Sequence, residues 1–180
     1  ALGEAQFGAG KGYPDFLCLT YGTGVGGAIV LDGRIYTGSS WSAGSFGGIV
    51  IHPEAVDLAV EYSGCYEKYA STTGLVKRAL AVDPGLTSGR AIFAAFDQPE
   101  VIDEWIDEIV TGLVTLIHIF NPSRIVLGGG IMVQPYVLEQ VQERLIPRLS
   151  PGFRKVNIAR ASLGNQAGLL GAAHLAEEML

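Results

Sequence analysis

Tyr21-Gly22-Thr23-Gly24-Val25-Gly26-Gly27-Ala28-Ile29-Val30-Leu31-Asp32-Gly33-Arg34-Ile35-Tyr36 is the stretch from which the fold is read. A near-continuous apolar run, Asp15 to Tyr21, leads into it, the pattern of a strand buried on both faces. A second apolar run, Ala28 to Leu31, follows the glycines and ends at Asp32-Gly33, a two-residue hairpin signal. Arg34-Ile35-Tyr36 returns, so the stretch predicts a three-stranded meander. Further along, the pattern changes. Ile125-Val126-Leu127 reads as a strand, followed by Gly128-Gly129-Gly130 and a helix from about Gln134 to Leu149. A strand from Val156 to Ala159 and a last helix near Asn165 complete the chain. Strand, helix, strand, helix implies parallel strands in a layered α/β fold. A meander joined to βα units therefore predicts a mixed sheet.

The remaining segments fill in around this framework. Ala1 to Gly10 reads as the tail of a helix, and the chain is expected to start in the middle of a larger fold. Residues 37–64 are rich in Gly and Ser, with little helical period, and read as an irregular surface excursion. A helix is expected from about Cys65 to Val82, closed by Asp83-Pro84-Gly85, and a short one from Ser88 to Phe96. Asp97 and Pro99 open the clearest helix. Ile102, Trp105, Ile106, Ile109, Leu113 and Ile117 fall on one face of it, and Asp103, Glu104, Asp107 and Glu108 on the other. Asn121-Pro122 stops it, and His118 in its last turn suits the helix dipole.

The composition restricts the function. Of 180 residues, 48% are hydrophobic and 17% charged, whereas a disordered chain needs low hydrophobicity and high charge. The length allows one large domain or two small ones. The net charge is −6 and no basic run exceeds Arg154-Lys155, which argues against tracking a nucleic-acid backbone. No segment reaches about 18 uninterrupted apolar residues, so no membrane span is expected. Two cysteines, Cys18 and Cys65, are too few for a disulfide framework and fit a reducing cytosol. The expectation is a cytoplasmic protein.

Gly22, Gly24 and Gly27 satisfy G-x-G-x-x-G, but the dinucleotide version needs a helix after the turn and here a strand follows. The partner motifs of a protein kinase are absent, and so is a Walker A lysine loop. What remains is a glycine-rich turn with one hydroxyl, Thr23. It is either an ordinary hairpin or a place where bare backbone meets phosphate. Gly128-Gly129-Gly130 follows a buried strand and precedes a helix, where α/β sheets bind ligands, or it is simply a tight βα turn.

In order, the chain contains ALGEAQFGAGKG, YGTGVGGAIVLDGRIYTGS, SAGSFGG, GCYEKYAS, RIVLGGGI and LGNQAGLLGAA. This series resembles the carboxyl-terminal lobe of a ROK-family (repressor, open reading frame, kinase) sugar kinase, over nearly the whole chain. The resemblance implies a two-lobed, ribonuclease-H-like, actin-like ATPase fold. It implies phosphoryl transfer from ATP, with Mg²⁺, to a sugar hydroxyl, and a homodimer. Gly22, Thr23, Gly24, Gly26 and Gly27 would then form the phosphate loop, and Gly128, Gly129 and Gly130 the adenosine-side loop.

Three departures from the family pattern matter. The family's catalytic aspartate precedes the ALGE segment, so the resemblance places the base, and the amino-terminal lobe, outside this chain. The AGE-x-GH segment reads Ala43-Gly44-Ser45-Phe46-Gly47-Gly48, so Ser45 stands where a sugar-binding glutamate would and Gly48 where a histidine would. The cysteine-rich zinc loop is reduced to Gly64-Cys65. With His52 that is one Cys and one His against about four zinc ligands, and no protein residues are expected to hold a zinc ion. Glu67 matches the family's second sugar-binding glutamate, and on its residues alone it is equally a solvated acid at a helix start. The same domain serves sugar-responsive transcriptional repressors. A repressor, or a non-catalytic sugar-binding and dimerisation lobe, is therefore the alternative to a kinase.

Overall fold

The structure is a computed structural model that describes residues 1–95 and 99–178. Its sheet has five strands: β1 (Phe16–Tyr21), β2 (Val25–Leu31), β3 (Arg34–Tyr36), β4 (Arg124–Gly128) and β5 (Asn157–Arg160), in the order β3-β2-β1-β4-β5. β1 pairs antiparallel with β2, and β2 with β3, while β1 pairs parallel with β4, and β4 with β5. This is the mixed sheet the sequence predicts. The hairpin joining β2 to β3 is the two-residue turn Asp32-Gly33, with φ of 50° and 74°. Positive φ at both central residues is the type I′ requirement that Asp-Gly meets.

Alternation along β1 separates two cores. Leu17, Leu19 and Tyr21 face the larger cluster with Ile125, Leu127 and Ile158. Phe16 and Cys18 face a smaller one with Val30 and Val126. The larger side is covered by α2 (Tyr66–Ala70), α3 (Thr72–Val82), α4 (Gly89–Ala95), α5 (Pro99–Phe120) and α6 (Pro135–Arg148). α5 buries the stripe read from its period, with Ile102, Trp105, Ile106, Ile109 and Leu113 all closed to solvent. Asn121 ends it at φ 44°, a left-handed residue that glycine or asparagine tolerates. His118 is held at that end by Val114 O and by Ser150, and packs on Phe153.

The single helix expected from Cys65 to Val82 is two. Ser71 is extended, at φ −69° and ψ 163°, and its hydroxyl accepts the Gly74 N–H, so it caps α3 and breaks the run. Phe96 and Asp97, read as the end of one helix and the start of the next, lie outside the described residues. Residues 37–64 carry two short 3₁₀ turns, Phe46–Gly48 and Pro53–Ala55, and one isolated bridge from Val50 to Cys65, in keeping with the low periodicity.

The smaller core is roofed by α1 (Leu2–Phe7), which packs on α7 (Ala167–Glu178). Glu4 is 2% exposed and fixes this corner. Its carboxylate accepts the N–H groups of Ala9, Ser162 and Leu163 and the Ser162 hydroxyl. Burial by itself raises its pKa, but the hydrogen bonds from Leu163, Ala9 and Ser162 outweigh it and hold the group below the ordinary 4.5. A depressed folded-state pKa contributes stability that is present above the unfolded value and lost as pH falls through the folded one. Glu4→Gln should therefore cost about 1–3 kcal/mol at pH 7 and much less at a pH where the wild-type carboxyl is protonated. Urea denaturation at the two pH values measures this, and a cost independent of pH would contradict the assignment.

Candidate functional site

β1 and β4 are adjacent and parallel, with Thr20 opposite Gly128, so the glycine turns that follow them leave the same end of the sheet. The first turn is shorter than the sequence suggests. Gly26 and Gly27 are already strand residues, paired with Thr20 and Leu19, and only Gly22 to Gly24 form the bend, closed by Gly22 N–H to Gly24 O at 3.0 Å. Gly128 is the buried last residue of β4, while Gly129 and Gly130 are exposed beyond it. α3 buttresses the bend, since Thr72 N–H donates to Gly22 O at 2.8 Å and the Thr73 hydroxyl to Thr23 O at 2.8 Å.

Between these turns opens a cleft of about 680 Å³, lined by Gly22, Thr23, Thr72, Arg90, Gly130 and Gln134 among others. A Cβ built at Gly22 or Gly130 meets nothing within 4 Å, so both present bare backbone to open space. Among the described residues no Asp or Glu lines the cleft. Among the described residues no group of three or more His, Cys, Asp or Glu is arranged to hold a metal ion. No helix among them is long and apolar enough to cross a membrane.

A second pocket, of about 310 Å³, is bordered by β2's first residues, Val25 to Gly27, and Ser45 and Glu67 both line it, with Trp41 and Tyr62. The Ser45 hydroxyl donates to Ser42 O at 2.8 Å, which shapes the loop. Glu67 links the two regions, because its Oε2 accepts the Val25 N–H at 3.0 Å directly after the glycine bend. It also borders a shallow space of about 320 Å³ shared with Gly22, Thr23, Gly24 and Gly129.

The position of Glu67 is set by its neighbour. Tyr66 is fully buried, and its hydroxyl donates to Ile109 O at 2.8 Å, so the Tyr21 hydroxyl 2.7 Å away is the donor in that pair. Burial pushes both phenol pKa values up and keeps both hydroxyls protonated. The far end of α2 is held by the Trp105 indole N–H, which reaches Ala70 O at 2.9 Å and Ser71 O at 3.0 Å. Cys65 and Cys18 are both free.

The sequence-predicted residues thus divide. Gly22, Thr23 and Gly130 meet in the large cleft, Gly26, Gly27, Ser45 and Glu67 meet in the smaller pocket, Gly24 and Gly129 border the shallow space with Glu67, and Gly128 lines none of the three. Thr72, Thr73, Arg90 and Gln134 in the cleft, and Trp41 and Tyr62 in the pocket, were not singled out by sequence reasoning. The run Ser71-Thr72-Thr73-Gly74 carries the one available signal, a hydroxyl-rich helix start.

The β-glucoside kinase of Listeria innocua is 36% identical over 183 residues, covering 96% of this chain and 60% of its own length. The ROK hexokinase of Thermus thermophilus superposes with a TM-score of 0.85 at 30% identity, over 97% of this chain and 61% of that one. The ROK family glucokinase of Streptomyces griseus, solved with glucose and AMPPNP, gives 0.81 at 32% identity, over 97% and 64%. A ROK family transcriptional regulator also superposes, with a TM-score of 0.81 at 24% identity over 96% and 48%, a likeness of fold alone. The chain spans 58–64% of the length of the curated relatives it matches. The five-stranded mixed sheet is the actin-like ATPase fold of these kinases, and with the ROK family model matching residues 1–179 the chain belongs to the ROK family.

Proposed function

We propose that this chain is the carboxyl-terminal lobe of a ROK sugar kinase, a dimer in the cytoplasm, that transfers the terminal phosphoryl group of ATP to a sugar hydroxyl. The observation that carries the reading is the single hydrogen bond from Val25 N–H to Glu67. It joins a pocket with sugar-binding chemistry to a glycine bend with phosphate-binding chemistry. The Gly22-Thr23 backbone and Gly130 suit a polyphosphate chain, because open space meets bare backbone there. Glu67, with Ser45 across the pocket, suits sugar hydroxyls, which a carboxylate can accept. Among the described residues no carboxylate lines the cleft, so on this side Mg²⁺ would rest on the phosphates of ATP rather than on a protein carboxylate. On this reading the general base and a second phosphate contact come from an amino-terminal lobe. Positioning and charge stabilisation dominate phosphoryl transfer, so the lobe described here supplies part of that apparatus.

With Ser45 and Gly48 in place of a glutamate and a histidine, Glu67 carries more of the recognition. Two outcomes follow: either the substrate is a less usual sugar, such as a glycoside or modified hexose, or activity on common hexoses is weak. In the complete protein, Glu67→Gln should weaken sugar affinity by about ten- to a hundredfold, the loss of one hydrogen bond to a charged group, with ATP affinity little changed. A sugar panel with calorimetry measures it. Tight glucose binding together with a silent Glu67→Gln would overturn the pocket assignment.

A further inference from the structure

His52 lies outside both clefts, yet each of its ring nitrogens meets a carboxylate. Nδ1 is 2.8 Å from Glu54 Oε1, and Nε2 is 2.8 Å from Glu108 Oε2. A neutral imidazole has one N–H and one lone pair. With an acceptor at each nitrogen, the neutral ring would set a lone pair against a carboxylate oxygen at hydrogen-bonding distance. Only the imidazolium satisfies both contacts.

The surroundings favour that charge. Glu108 is 13% exposed in its side chain, and its other oxygen is paired with the Arg78 guanidinium, which also reaches Glu104 at 3.2 Å. The Tyr69 ring lies against the imidazole, 4.1 Å between centroids. The groups facing His52 are thus Glu54 from its own turn, Tyr69 from α2, Arg78 from α3, and Glu104 and Glu108 from α5. Three carboxylates face one guanidinium, so a charged ring brings the cluster closer to neutrality. Burial lowers the His52 pKa, but the hydrogen bonds and charges of Glu108 and Glu54 outweigh it, and the net shift is upward from 6.5.

The segment anchored by His52 leads directly to Glu67. The Ile51 and His52 N–H groups both donate to Gly64 O at 3.0 Å, Val50 bridges to Cys65, and Tyr66 N–H donates to Ile49 O at 2.8 Å. Cys65 is the residue before α2, and Glu67 lies in the first turn of that helix. The segment also supplies Tyr62 to the pocket wall.

We propose that His52, as an imidazolium shared by Glu54 and Glu108, is a positioning residue that fastens the 49–65 segment to α5 and so holds Glu67 in place. The role of Glu67 rests on the reading of the pocket given above, and the fastening does not.

The test uses the complete protein that carries this chain. Histidine NMR gives the titration of His52, limited proteolysis gives the opening of residues 49–65, and calorimetry with glucose and a β-glucoside gives sugar affinity, with ATP as control. In wild type, His52 is expected to titrate above 6.5, and proteolysis to rise and sugar affinity to fall as pH passes through that titration. His52→Gln should show the open, weak state at every pH, with sugar affinity down about tenfold and ATP affinity unchanged. His52→Arg keeps a two-armed cation and should flatten the profile near the wild-type low-pH value. Titration at or below 6.5, or proteolysis of His52→Gln equal to wild type at low pH, overturns the fastening. Proteolysis that follows pH while sugar affinity ignores it overturns the link to Glu67. A silent Glu67→Gln marks failure of the pocket reading instead, and the NMR and protease results still decide the fastening.

Discussion

Gly24→Ala in the complete protein should lower sugar phosphorylation by about ten- to a hundredfold in kcat/KM while leaving the fold intact. A Cβ built at Gly24 sits 2.1 Å from Glu67 Oε2 and 2.7 Å from its Cδ. No backbone atom is among its nearest neighbours, and the Gly24 φ is not positive, so alanine can adopt the local backbone. The obstruction is therefore the Glu67 carboxylate. The carboxylate is the far end of a flexible side chain and can swing away, so the stability cost is small. Swinging away breaks its bond to Val25 N–H, a charge-assisted hydrogen bond of about 1.5–3 kcal/mol, and removes Glu67 from the pocket. The decisive measurement is a double-mutant cycle on sugar affinity and kcat/KM. In a Glu67→Ala background, Gly24→Ala should cost almost nothing further. Equal losses in both backgrounds would return the effect to the phosphate side of the turn.

The same pair of residues shows what a single sequence can and cannot disclose. Asp32-Gly33 announced its hairpin because the turn's demand for positive φ is local and only a few residues meet it. The alternation of Phe16 and Cys18 against Leu17 and Leu19, and the stripe on α5, were legible because burial imposes a period on neighbouring residues. Glu67 was legible as a candidate through its place in a family motif, but not its partner. Val25 is 42 residues away in the chain, and nothing in the spacing connects them. The break at Ser71 was missed for a related reason. Tyr66, Ala70, Leu75 and Ala79 are all fully buried along the Cys65 to Val82 run, so apolar spacing gives no sign that the helix is interrupted. The extended Ser71 caps Gly74 N–H locally, but its carbonyl is also held by the Trp105 indole N–H, a contact that only the tertiary fold supplies. The path of residues 37–64 was unreadable because turns without a repeating burial pattern leave no period to detect.

The largest effect on the fold is expected at the second glycine turn, and it should separate three chemically identical residues. Gly129 has φ 106°, and a Cβ there would lie 2.0 Å from Tyr21 O and 2.8 Å from Tyr21 C. Here the obstacle is backbone. Tyr21 is fully buried in β1, which is paired on both sides, so it cannot yield as the Glu67 side chain can. Strained φ and overpacking together put Gly129→Ala at about 2–6 kcal/mol, or roughly 5–20 °C in Tm for a chain of this size. Gly128 is intermediate, its Cβ meeting Thr20 Cγ2 at 3.3 Å and Ala161 Cβ at 3.4 Å. Gly130 faces open space and has no positive φ, so Gly130→Ala should melt within about 2 °C of wild type, with any gain coming from a stiffer unfolded chain. Its new methyl projects where the 680 Å³ cleft begins, however, and should weaken ATP affinity without touching the fold. Thermal melts and ATP calorimetry on the three single variants give the comparison. A Gly129→Ala protein that melts with wild type would show that β1 and the turn after β4 are not packed as described. A Gly130→Ala protein with unchanged ATP affinity would place the nucleotide away from this turn.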